Sequence, residues 1–430
     1  VVFSAWTIAA AFSTYFCMYA FRKPFSAGLY DGQELWGYGL KSLLVVSQIA
    51  GYMLSKFIGI KVISEMRAEF RGFAILGLIG VAELALVGFA YVPVPLKPVM
   101  LFLNGLPLGM IFGLVLSYLE GRQQTEALSA ALCASFIISS GVVKSVGRWL
   151  VDVQGFTEFQ MPMLVGIIFF LPLLVSVWLL QHTPEPDEQD REHRSERPAM
   201  NGSMRRTFFA DYRWGLSLLI FVYVALTVAR TVRDDFAVDI WRDMGITERP
   251  AIFAKSELAV AFFVVGLTGL GILIKDNLRA IQWTFAGMAV AFGLVLAAVV
   301  LYAGTLISPF VFMVVCGIGL YIPYVAFHTT VFERLIAASR KPCNLGFLMY
   351  LADAMGYLGY TFVLLVGPTL QGPGRALATF QWTMLLAAMS SLVALLLALR
   401  YFQQTLLDKA MKRENVPAVP ITADEVAVLE

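Results

Sequence analysis

"QHTPEPDEQDREHRSERPAMNGSMRRTFFADYR", residues 181–213, is the one long polar stretch in a 430-residue chain that is otherwise 59% hydrophobic. On each side of it lie six apolar runs, each long enough to cross about 30 Å of hydrocarbon. The runs predict membrane helices over roughly 1–30, 39–63, 70–91, 97–120, 126–151 and 160–181 before the polar stretch. After it they fall at 213–241, 253–275, 280–302, 308–336, 342–366 and 376–403. The expected fold is an all-α polytopic membrane protein: twelve transmembrane helices in two pseudo-symmetric six-helix bundles, 1–181 and 213–403. Residues 182–212 read as a linker and 404–430 as a tail.

Composition agrees. Only 14% of residues are charged, where a soluble domain carries about a quarter, and mean hydropathy is +0.74. A membrane barrel would show short alternating strands, and none is visible. The net charge of +2 says little about partners, because in a membrane protein the distribution of charge outweighs the sum. Nothing in the chain points to nucleic acid. Cys17, Cys133, Cys316 and Cys343 are scattered without CxxC spacing, so neither a metal site, a cofactor nor a disulfide framework is expected. No phosphate-loop or GxGxxG motif supplies an ATP motor, and no polar cluster pairs a nucleophile with a base, so an enzyme is not expected. The sequence opens on Val1 inside an apolar run with no signal peptide, which implies a trimmed N-terminus.

Most Lys and Arg outside the runs fall in the even-numbered loops and the tail. The positive-inside rule then places both termini and the linker in the cytoplasm of a cell-membrane protein surrounded by bilayer. Six cations remain with no loop to explain them: Arg22, Lys23, Lys56, Lys144, Arg230 and Arg233. Each charge at bilayer depth costs roughly 2.5–3.5 kcal/mol, so these mark function.

The halves echo each other. "YFCMYAFR" (15–22) and "YVALTVAR" (223–230) both place a Tyr two turns before an Arg, on nearly one helical face. A duplicated architecture would bring Arg22 and Arg230, with Tyr15 and Tyr223, to a central cavity from opposite sides. Two guanidinium forks repel when facing each other, and each can grip an anion bidentately. The competing reading pairs each Arg with a buried acid, and Asp234 stands one turn from Arg230. Lys23, rotated about 100° from Arg22, is expected to meet Asp235, with Glu257 as a further member of a salt-bridge relay between halves. For Lys56 and Lys144, ligation in the cavity competes with snorkelling to the interface. His328, Asp353 and Glu83 are candidates for carrying a proton. Gly105, Gly109 and Gly113 recur every four residues, which favours close helix packing.

Four motifs resemble the organophosphate:phosphate antiporters of the major facilitator superfamily, a glycerol-3-phosphate transporter-like family. They are "YAFRKPF" (19–25), "SKFIG" (55–59), "ARTVRDDF" (229–236) and "GYLG" (356–359), in the family's order and spread over both halves. The resemblance implies that Arg22 and Arg230 bind a phosphoryl group with Lys56 nearby, and that Lys23, Asp235 and Glu257 form the relay. The chain departs from the pattern in its apolar stretch near Ile138, where the family has a histidine, and in lacking the Gly-Asp-Arg signature after the second helix. It therefore reads as a divergent member.

The expected activity is secondary active transport by alternating access, by a monomer. A small phosphorylated anion would be exchanged for inorganic phosphate as counter-substrate. A proton-coupled organic-anion symporter and a transporter-like sensor of external sugar phosphate are the alternatives.

Overall fold

The computed structural model describes residues 2–119, 125–183, 202–247, 249–271, 277–339, 345–366 and 374–414. The first half contains α1 (Val2–Arg22), α2 (Leu40–Glu65), α3 (Arg71–Tyr91), α4 (Lys97–Leu119), α5 (Thr125–Asp152) and α6 (Met161–Gln181). A short α7 (Gly202–Asp211) lies within the segment read as linker, most of which is outside the described residues. The second half contains α8 (Arg213–Asp235), a short α9 (Ala237–Asp243), α10 (Ala251–Gly271) and α11 (Asn277–Ala303). It continues with α12 (Pro309–Ala326), a five-residue π turn (Phe327–Val331), α13 (Phe332–Ser339), α14 (Leu345–Val366) and α15 (Arg375–Glu414). Among the described residues, twelve long helices thus form two pseudo-symmetric bundles of six, α12, the π turn and α13 together counting as one helix. Among the described residues, eight helices are long and apolar enough to cross a membrane by length and composition.

The first expected helix is eight residues too long. α1 stops at Arg22 because Pro24 has no N–H to continue it, and a 3-10 turn, Pro24–Ala27, follows. The seventh also breaks, after Asp235, with α9 set off beyond Phe236. The last runs as helix into the stretch read as tail. Between α1 and α2, β1 (Glu34–Leu35) pairs antiparallel with β2 (Tyr38–Gly39) across Trp36-Gly37. Both turn residues have positive φ, 55° and 80°, as a tight hairpin turn needs. This hairpin marks one end of the bundle; the end of α6, whose Leu179 carbonyl accepts from Trp6 near the start of α1, lies at the other.

Within the first half α2 packs on α4, α3 on α4 and α6, and α1 on α5 and α6. In the second, α8 packs on α14 and α15, and α12 on α10 and α11. The halves meet along α5–α10 and α2–α14. Water drives no association inside a bilayer, so small residues decide how near helices come. A Cβ added at Gly105 would sit 2.2 Å from the Gln48 carbonyl oxygen, and one at Gly51 2.2 Å from that of Phe102. At Gly141 it would meet the Phe253 carbonyl oxygen at 2.6 Å, so that glycine sets the α5–α10 approach between halves.

Candidate functional site

The site begins with the break at Pro24. It frees the last carbonyls of α1, and two amides recover them. Gln48 Nε2 of α2 donates to the Arg22 carbonyl oxygen at 2.7 Å and to Asn104 Oδ1 at 2.8 Å. Asn104 Nδ2 of α4 donates to the carbonyl oxygens of Phe21 and Ala82, each at 3.0 Å. The close α2–α4 packing at Gly105 holds both amides in place. The backbone of Arg22 is thereby fixed while its side chain is left for other work.

That side chain is buried and lies on aromatic rings, with its Cζ 4.0 Å from the Tyr52 centroid and 5.7 Å from that of Tyr19. Arg230, also buried, lies 4.3 Å over Tyr324. Among the described residues no carboxylate comes within 4.0 Å of either guanidinium, and both Nε atoms have no hydrogen-bond partner. The pairing of Arg230 with Asp234 does not form, because Asp234 is drawn off by two lysines of the other half. Tyr15 packs edge-on against Tyr19 and Phe112, at 5.6 and 5.5 Å between centroids.

Between the arginines runs a chain of contacts that crosses from one half to the other. Lys56 lies over Tyr52 and Tyr357, at 5.2 and 5.4 Å, and its Nζ is 2.5 Å from Asp353 Oδ2. Tyr223 donates its hydroxyl to Asp353 Oδ1 at 2.5 Å. Tyr223 in turn lies 5.9 Å from Tyr324, the ring beneath Arg230. His328, in the π turn, packs at a tilt 4.4 Å from Tyr324, and its Nδ1 lies 2.9 Å from the Tyr324 carbonyl oxygen. Lys56 therefore does not snorkel: a carboxylate reaches it from α14 first.

A second cluster lies toward the hairpin end. Lys23 Nζ is 2.5 Å from Asp235 Oδ1 and 2.7 Å from Asp234 Oδ2. Lys144 Nζ is 2.5 Å from Asp234 Oδ1, so it too is paired instead of snorkelling. Ser140 Oγ also bonds Asp234, and the Tyr360 hydroxyl donates to Asp235 at 3.0 Å. Glu257 does not join Lys23. It meets Arg233 at 2.8 Å, because the glycine at 141 brings α5 close and turns Glu257 along α10 toward α8. Arg233 also donates to the Met313 carbonyl oxygen at 3.1 Å. The relay thus has different members: Lys23 and Lys144 with Asp234 and Asp235, and a separate Arg233–Glu257 pair. Beyond it, Lys41 Nζ lies 2.5 Å from Asp239 Oδ2, both groups being almost fully buried. Arg242 reaches Asp31 at 2.6 Å.

Glu83 lies apart, its carboxylate against Gly166 of α6 with no hydrogen-bond partner among the described residues. Cys17 and Cys316 are buried free thiols; Cys343 is outside the described residues. Among the described residues no group of His, Cys, Asp and Glu could hold a metal ion. Tyr52, Tyr324 and Tyr357, with Lys41 and Asp239, are absent from the residues singled out by sequence. A signal for the tyrosines exists: Tyr52–Lys56, Tyr324–His328 and Asp353–Tyr357 are each spaced i, i+4, on one helical face.

No curated protein matches the sequence. The crystal structure of a D-xylose–proton symporter matches the fold over 92% of this chain and 96% of its own, with a TM-score of 0.60 at 16% identity. A likeness at that identity speaks for the fold, which is that of the major facilitators. A family model covers residues 24–405, from the proline that ends α1 into the last helix. On that match the chain belongs to DUF5690, a family of unknown function.

Proposed function

We propose that this protein is a secondary active transporter of a small organic anion, a phosphorylated metabolite exchanged for inorganic phosphate by alternating access. One observation carries the reading. Lys23, Lys41, Lys56, Lys144 and Arg233 each hold a carboxylate of the opposite half or a neighbouring helix. Arg22 and Arg230 alone among these inter-helical cations rest on aromatic rings with unpartnered Nε atoms. Two buried positive charges want an anion, and a phosphate ester of about −1.5 to −2 charge can neutralise both. Neutralised, the halves can close; empty, repulsion resists closure, which makes exchange obligatory. In this reading the termini are cytoplasmic, the hairpin end faces outward, and the Lys23–Asp235 and Lys144–Asp234 pairs close the outer side.

The test is counterflow in proteoliposomes with labelled phosphate inside and a panel of phosphorylated and carboxylated anions outside. Phosphorylated anions should drive efflux, and Arg22→Lys or Arg230→Lys should lower the rate at least tenfold, since a lysine cannot reproduce the bidentate fork. Absence of phosphate counterflow, or lysine variants that exchange like the parent, would refute the proposal. A proton-coupled anion symporter is a second reading, favoured by Asp353 lying between the halves beside His328; uptake driven by a pH gradient without counter-phosphate selects it. Binding with no flux selects a sensor.

A further inference from the structure

We propose that Asp353 is a proton-binding site coupled to the anion site through Lys56. An anion that takes Lys56 leaves the Asp353 carboxylate to bind a proton, and this releases the α2–α14 contact between halves. The inference rests on the transport reading above and specifies how occupancy of the site reaches the interface.

Lys56 is a shared partner. Its ammonium touches Asp353 on one side and lies 5.2 Å from the Tyr52 ring on the other. The same ring carries the Arg22 guanidinium at 4.0 Å. An anion seated on Arg22 is therefore one ring away from Lys56, and a dianion offers it more charge than a single carboxylate does. The remaining groups around Asp353 cannot take the place of that lysine. From α2 come Lys56 and Tyr52, and from α8 Tyr223, with Arg230 a ring further off over Tyr324. From α12 and the π turn come Tyr324 and His328, and Tyr357 follows one turn on along α14. Tyr223 already bonds Oδ1, so Oδ2 depends on Lys56 alone among the described residues.

Once Lys56 swings to the anion, Oδ2 is half-buried, ionised and unpartnered, with new negative charge close by. Both changes favour the protonated carboxyl. One proton joins Oδ2 from the buffer acid of the bulk solution, whose own bond to hydrogen breaks to leave its conjugate base, and the neutral carboxyl still accepts from Tyr223. The ion pair that tied α2 to α14 is gone, while the interior has gained a compensated anion. His328 is the rival acceptor: its Nδ1 is engaged by the Tyr324 carbonyl, which leaves Nε2 to titrate.

Calorimetry of inorganic phosphate binding to the purified full-length chain, in buffers of different ionisation enthalpy, tests this. Wild type should take up about one more proton per bound phosphate than Asp353→Asn, a comparison that cancels the protonation of phosphate itself. Asp353→Glu and His328→Gln should keep the uptake. Equal uptake in wild type and Asp353→Asn overturns the inference, and so does loss of uptake in His328→Gln with its retention in Asp353→Asn. Phosphate binding by Asp353→Asn certifies that the variant is folded, and an Asp353→Asn that binds nothing while Asp353→Glu binds without proton uptake also overturns the inference. Wild type that binds no phosphate overturns the transport reading itself, a distinguishable result.

Discussion

Lys41 and Asp239 form the deepest ion pair at the hairpin end, 2.5 Å apart with 0% and 2% of their side chains exposed. One belongs to the start of α2 and the other to α9, so the pair ties the halves together. Removing one partner of such a pair strands the other charge at a cost of about 3–5 kcal/mol. At about 1.4 kcal/mol per tenfold, that shifts the balance between closed and open hairpin ends by a factor of about 10²–10⁴. The two single changes should not be equal. In Lys41→Met, Asp239 keeps Arg242, 3.9 Å away, and the shift falls near the lower figure. In Asp239→Leu, Lys41 keeps, among the described residues, only the Phe236 ring at 5.4 Å, and the shift approaches the upper one. The double variant, apolar on both sides, should return close to the parent, since a desolvated pair contributes little over well-packed hydrocarbon. The assay is the labelling rate of a cysteine at the buried Val238 by an impermeant maleimide, in a background without the four native cysteines. Melting temperature, followed in parallel, separates opening from unfolding. Singles that label like the parent, a double that labels as fast as either single, or the reverse order of the two singles would refute the reasoning.

Two further outcomes follow from the packing of the site. Gly105→Ala pushes a methyl into the Gln48 carbonyl, backbone against backbone, and should cost about 1–3 kcal/mol of stability; an unchanged melting temperature would show that α2 and α4 can separate freely. Asn104→Leu strips partners from the Phe21 and Ala82 carbonyls and from Gln48, so anion affinity should fall with stability. Thermal melts paired with phosphate titrations check it, and a loss of stability with affinity intact would mean that the α1 terminus does not position Arg22.

The twelve spans were legible because their signal is local: a run of apolar residues states its own length. The facing of Lys23 toward Asp235 was legible for the same reason, since helical rotation alone separates it from Arg22. Partners set by tertiary distance were not. Glu257 could have met Lys23 or Arg233, and what decides is the approach of α5 to α10 at Gly141, a property of two distant segments together. Lys56 and Lys144 looked like residues near helix ends, and the carboxylates that hold them lie 297 and 90 residues away. The end of α1 could have been read from Pro24, but the apolar run that continues past it hides the break. The break after Asp235 has no proline behind it and leaves no such mark.

The rings around the arginines explain why this interior can hold charge without spending it. A guanidinium is a flat cation whose donors lie along its edge, whereas an aromatic ring attracts it through its face. Stacking on Tyr52 or Tyr324 therefore stabilises Arg22 or Arg230 and leaves the edge free to bind. A carboxylate in the same place would occupy the edge and neutralise the charge, and an incoming anion would have to displace it. The energies differ in the same sense: a desolvated cation–π contact contributes about 2 kcal/mol, while breaking a buried ion pair costs about 3–5 kcal/mol. An anion adds to the first and must compete with the second. The same contrast separates the two kinds of cation here. Lys23, Lys41 and Lys144 meet acids and hold the halves together at the hairpin end, while the two arginines meet tyrosines, which is what leaves them to the anion in the proposed function. Lys56, touching both a carboxylate and the ring that carries Arg22, stands at the boundary between these roles, which is where coupling between binding and closure has to pass.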